Sequence, residues 1–170
     1  CRHDLPLLKA LLSAPRFASL PLTFYQDCLD PEREMQFSAL TVLLDTGEAL
    51  LVFRGTDNTL VGWKEDFNLS FLEVVPAQSA ALNYTARLAA ARPGPLLLAG
   101  HSKGGNLAVF SASLSPPELR DRIGAVYSSP LWWGCFWSTR SRIPWSKAAT
   151  LAFSSMTHTP GRCGEAASSV

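Results

Sequence analysis

Leu96-Leu97-Leu98-Ala99-Gly100-His101-Ser102-Lys103-Gly104-Gly105-Asn106-Leu107-Ala108-Val109 is the stretch that decides the fold. Its four leading apolar residues suit a buried parallel strand, and small and apolar residues recur at helical spacing from Asn106 to Ala112. Between them, Gly100-His101-Ser102-Lys103-Gly104 has to turn the chain sharply from strand into helix. Glycines around such a corner lack the Cβ that would hold strand and helix apart. Ser102 then sits in strained backbone at the carboxyl end of the strand, where a helix N-terminus favours developing negative charge. The bland alternative is a tight turn with no chemistry.

The flanking sequence alternates strand and helix. Leu5–Leu12 reads as a short helix and 21–30 as a loop-rich approach segment. Phe37–Leu44 and Glu48–Arg54 read as strands around a turn at Asp45-Thr46-Gly47. A loop and short helix fill Leu60–Leu69. An Ala-rich helix opens at Pro76 and runs to Arg92, where Pro93-Gly94-Pro95 stops it. After the Ser102 helix, Pro116-Pro117-Glu118 opens a short helix, and Ile123–Tyr127 is another buried strand. Strands alternating with helices predict an α/β fold with parallel strands and right-handed crossovers.

A second segment sharpens the reading. Val52-Phe53-Arg54-Gly55-Thr56-Asp57, then Gly62-Trp63-Lys64-Glu65-Asp66-Phe67, precedes the Ser102 turn. Together with Gln36-Phe37-Ser38-Ala39-Leu40, this resembles the class 3 (fungal-type) lipases among the α/β-hydrolases. It is more similar still to a bacterial branch labelled Mbeg-like, from about Ser13 to Tyr127. The G-x-S-x-G turn then corresponds to the nucleophile elbow of those enzymes. The resemblance implies a serine hydrolase acting on a carboxylic ester or lipid acyl bond, with Ser102 as nucleophile. The oxyanion-hole donors implied are Thr56, through its hydroxyl and backbone N–H, and the backbone N–H of Lys103. No cofactor and no metal are implied, and the substrate would be a small-molecule or lipid ester. The alternative is a non-catalytic scaffold binding a lipid or protein partner, or a product with no function. The fold implied is an incomplete three-layer α/β-hydrolase sandwich with a mostly parallel central sheet, an N-terminal hairpin and a truncated C-terminal part.

Arg54, Asp57, Lys64, Glu65 and Asp66 are read mainly as charges that brace loops beside the turn. Trp63 is read as a packing residue. Lys103 stands where lipases usually carry an apolar residue. Its stem is expected along apolar surface with the ammonium in water, where it could attract an anionic substrate.

Composition sets outer bounds. The 170 residues are 47% hydrophobic and 17% charged, with a net charge of +1, enough for one domain with a core. That charge gives no electrostatic case for nucleic acid or an anionic membrane surface. The sequence holds no apolar stretch long enough to span a membrane and no visible signal peptide, which points to the cytoplasm. The chain opens on Cys1 and reads as the cut edge of a longer protein. The cysteines at 1, 28, 135 and 163 have no metal-like spacing.

After Tyr127 the pattern changes. Residues 1–127 read as a partial hydrolase domain, and Ser128–Val170 as an anomalous, poorly ordered tail carrying Trp132, Trp133, Trp137 and Trp145. The resembled family should continue here into a loop bearing the acid of a catalytic triad. Codon overlap offers an explanation. Read one base out of frame, Trp132-Trp133 encodes Val, Trp133-Gly134 Gly, Phe136-Trp137 Leu and Met156-Thr157 Asp, which fits a frameshifted tail. Candidate triad partners are accordingly sparse. His3 lies far upstream, His101 points away from the pocket by alternation, and His158 lies in the tail. Glu118 and Asp121 sit in the crossover before the next strand. The expected enzyme is therefore an impaired copy.

Overall fold

The computed structural model describes residues 4–129. The expectations for the Trp-rich tail beyond Ser129, for His158 and for His3 lie outside the described residues. Within them the elements run α1 (Asp4–Ser13), β1 (Leu22–Asp30), β2 (Met35–Leu43), β3 (Ala49–Phe53), α2 (Leu60–Asn68), α3 (Pro76–Ala91), β4 (Leu96–His101), α4 (Lys103–Leu114), α5 (Pro117–Arg120) and β5 (Ile123–Ser129). No helix among the described residues is long and apolar enough to cross a membrane.

One five-stranded sheet forms in the order β1-β2-β3-β4-β5. β1, β2 and β3 make an antiparallel meander, whereas β3, β4 and β5 are parallel. The sheet is therefore mixed, with two pairings of each kind, and the expected mostly parallel sheet is corrected. The reason is β1, a strand antiparallel to β2 where the sequence predicts an approach loop. Gln26, Asp27 and Asp30 break its apolar pattern, and a bulge with Phe24 at φ 55° shifts its register. Pairing with β2 makes it a strand, and Asp30 builds the connecting turn by accepting from the N–H groups of Glu32 and Arg33.

The buried sheet face carries Phe37, Ala39 and Thr41 from β2, Ala49, Leu51 and Phe53 from β3, and Leu96 and Leu98 from β4. These alternate with half-buried Leu40, Val42, Leu50, Val52, Leu97 and Ala99, as the period of two requires. Ala77, Ala81, Tyr84 and Leu88 of α3 join Leu107, Ala108 and Ala112 of α4 in the same core. Both long helices thus pack on one face. Phe37, Phe53 and Tyr84 meet at ring-centroid distances of 5.9–6.2 Å. The Tyr84 hydroxyl finds Thr41 Oγ1 at 2.8 Å, and burial pushes its pKa up to about 12 despite that bond and the charge of Arg87.

The parallel register places the site. Phe53 at the end of β3 pairs with Gly100 near the end of β4. The connections that leave these strands therefore emerge side by side at their carboxyl ends, the usual place for ligands in parallel sheets.

Candidate active site

Ser102 is the N-cap of α4, with φ 58° and ψ −126°. For a residue with a Cβ this backbone costs on the order of 1–3 kcal/mol and persists only when its surroundings impose it. Serine is a favoured helix cap, yet Ser102 makes no side-chain cap hydrogen bond. The residue is half-buried and its hydroxyl is not used to finish the helix. The Ser102→Gly variant is accordingly expected to be more stable by about 1 kcal/mol, read from its urea midpoint, because glycine accepts this backbone freely.

Two glycines make the corner possible. A Cβ on Gly100 would stand 2.1 Å from the Gly104 carbonyl oxygen, and one on Gly104 would stand 2.2 Å from the Phe53 carbonyl oxygen. The first turn of α4 therefore rests directly on the end of β3. The loop after β3 comes as close to the serine: a Cβ on Gly55 would lie 2.8 Å from the His101 carbonyl oxygen and 3.6 Å from Ser102 Cβ. Thr56 is the next residue. Its Oγ1 is buried and has no hydrogen-bond partner among the described residues. The same holds for Gln36 Nε2 and Ser111 Oγ. The fold thus brings the Thr56 loop, Ser102 and Lys103 to one corner.

The loop is braced as expected, by partly different groups. Asp57 Oδ1 accepts from Thr59 N–H at 2.9 Å and Thr59 Oγ1 at 2.5 Å, and Thr59 in turn caps α2 by accepting from Gly62 N–H. Burial works to raise the Asp57 pKa, but the Thr59 bonds and the charges of Arg54 and Lys103 outweigh it and hold the carboxyl below its ordinary value. Lys64 reaches Glu34 at 3.3 Å on the surface.

Lys103 is where the structure overturns the sequence reading. Its ammonium does not reach water: the residue is 2% exposed. Nζ donates to the Gln36 carbonyl oxygen at 2.7 Å, Gln36 Oε1 at 2.7 Å and Glu65 Oε2 at 2.9 Å. All three of its protons are thereby committed, so it neither attracts a substrate anion nor serves as a base. Glu65, fully buried, also accepts from Gln36 N–H through Oε2 and from Ala77 N–H through Oε1. That last bond satisfies an N–H in the first turn of α3.

Trp63 is also corrected. It is 63% exposed, because it lies two residues from Glu65 and so points to the opposite side of α2. With Leu60 and Phe67 it forms an apolar outward face, extended by Phe71, whose ring packs edge-on to Phe67 at 4.8 Å. His101, the one histidine among the described residues, is exposed at the end of β4. Sequence reasoning missed the role of Gln36, which is the second residue of β2 and carries no local mark of its partner.

The family model described as Mbeg1-like matches residues 11–131. No curated protein matches the chain. Among solved structures, a fungal lipase–inhibitor complex is similar at 17% identity and a TM-score of 0.38, over 66% of this chain and 48% of that one. The chain therefore spans about half the length of that lipase.

Proposed function

The chain belongs to the Mbeg1-like family, and from that premise we propose that it is a lipase-like serine hydrolase of the α/β-hydrolase type, cleaving a carboxylic ester or lipid acyl bond. The observation that carries the reading is the backbone of Ser102, held at φ 58° where the loop of Gly55 and Thr56 closes on it. Strain of this kind concentrates where a side chain has to be presented for chemistry. In the proposed reaction Ser102 Oγ bonds to the acyl carbon while its proton passes through solvent water to the alcohol oxygen that leaves. The carbonyl oxygen becomes an oxyanion that accepts from Thr56, by hydroxyl and backbone N–H, and from the Lys103 backbone N–H. Each such donor is worth about 3 kcal/mol in the transition state. Collapse breaks the bond to the alcohol, and water then releases the acyl group from Ser102.

The Ser102 proton needs an acceptor. Among the described residues the one imidazole is the exposed His101; the proposal is of an impaired copy that acylates slowly, with solvent as that acceptor. A fluorophosphonate probe tests the reading. A covalent adduct is expected on the wild type and none on Ser102→Ala. Folded wild type that takes up no adduct, yet retains lipid, would mean the non-catalytic scaffold.

A further inference from the structure

We propose that the buried Glu65–Lys103–Gln36 cluster is a strut that fixes the spacing between the two sides of the oxyanion hole, with Glu65 and Lys103 as positioning residues. The inference rests on the proposed hydrolase reading and deepens it by assigning what holds the donors in place.

The cluster joins the right pieces. Lys103 opens α4 immediately after Ser102, and its own backbone N–H is one donor. Thr56, the other, lies four residues ahead of α2, and Glu65 sits in the middle of that helix. The Lys103–Glu65 bond at 2.9 Å therefore links the helix behind one donor to the residue that carries the second. Gln36 fixes both to the start of β2, by its N–H to Glu65 and its two oxygens to Lys103. The Glu65 bond to Ala77 N–H adds α3. Four elements are thus referenced to one carboxylate and one ammonium, both with fully buried side chains.

Stability alone does not explain such a pair. Removing two charges from water offsets most of their attraction, and apolar residues of similar volume in such a site are commonly as stable or more so. Hydrogen bonds to charged groups are directional, whereas apolar packing at the same place would let α4 settle within a few tenths of an ångström. An oxyanion donor is sensitive to that, since a 1 Å misplacement near the reacting atoms can lower a rate about a hundredfold.

Time-dependent inactivation by a fluorophosphonate, with kinact separated from KI, tests the strut on the full chain. Lys103→Met/Glu65→Gln removes both charges and keeps the Lys103 backbone N–H. In protein verified as folded by circular dichroism, its kinact is expected to fall at least about tenfold with KI unchanged. Gln36→Leu keeps the ion pair and the Gln36 backbone, folds if the double variant does not, and is expected to lower kinact about threefold. A kinact equal to wild type in Gln36→Leu, or in the folded double variant, overturns the strut alone. Wild type that is never inactivated overturns the hydrolase reading, and the strut with it.

Discussion

Alanine at position 104 is expected to destabilise the domain by about 3 kcal/mol, at the upper end of what overpacking does. The new methyl would stand 2.2 Å from the Phe53 carbonyl oxygen and 2.9 Å from both the Phe53 and Arg54 carbonyl carbons. All three are backbone atoms at the end of a paired strand, so no side chain can swing aside. Relief requires α4 to lift from β3, and α4 carries Leu107, Ala108 and Ala112 into the core. Urea unfolding followed by circular dichroism measures the loss. Gly124→Ala is the control, because the nearest atoms to its Cβ, Leu97 Cδ2 and the Leu96 carbonyl oxygen, lie at ordinary contact distances of 3.7 and 3.9 Å. It is expected to change stability by less than about 1 kcal/mol. Equal effects at the two positions would contradict the close approach described for the corner.

The Lys103→Met variant is expected to lose about 3–5 kcal/mol in the same measurement. Methionine fills the space of the stem, so the loss does not come from a cavity. It comes from Glu65, left charged and buried without its cation while still accepting from Gln36 N–H and Ala77 N–H. Adding Glu65→Gln removes the stranded charge and is expected to restore at least about 2 kcal/mol, a coupling of the size found for groups in direct contact. One amide oxygen cannot serve both N–H groups as two carboxylate oxygens do, so recovery stays incomplete. A double variant no more stable than Lys103→Met would contradict the ion pair.

The corner at Ser102 was legible in the sequence because it is local. Gly100 and Gly104 flank the serine, an apolar strand precedes it and a helical pattern follows, all within 14 residues. The hairpin of β2 and β3, the helix from Pro76 and the bracing role of Asp57, which bonds Thr59 two residues on, were legible for the same reason. What was not legible depends on distant partners. In β1 only Thr23-Phe24-Tyr25 favours a strand, and the polar residues after it leave the pairing with β2 to supply the order. The buried ammonium of Lys103 depends on Glu65 and Gln36, 38 and 67 residues earlier. Read locally, a lysine at a helix start belongs in water, and only the fold reveals acceptors for all three protons. Trp63 misled in the opposite sense, because its size suggests packing while the burial of Glu65 turns it outward.

Intact-mass measurement of the wild-type chain after fluorophosphonate treatment, with peptide mapping, tests the central claim most directly. One adduct per chain is predicted, on the peptide containing Ser102, and absent from Ser102→Ala. No adduct on folded protein, or one that survives the alanine substitution, would contradict the account.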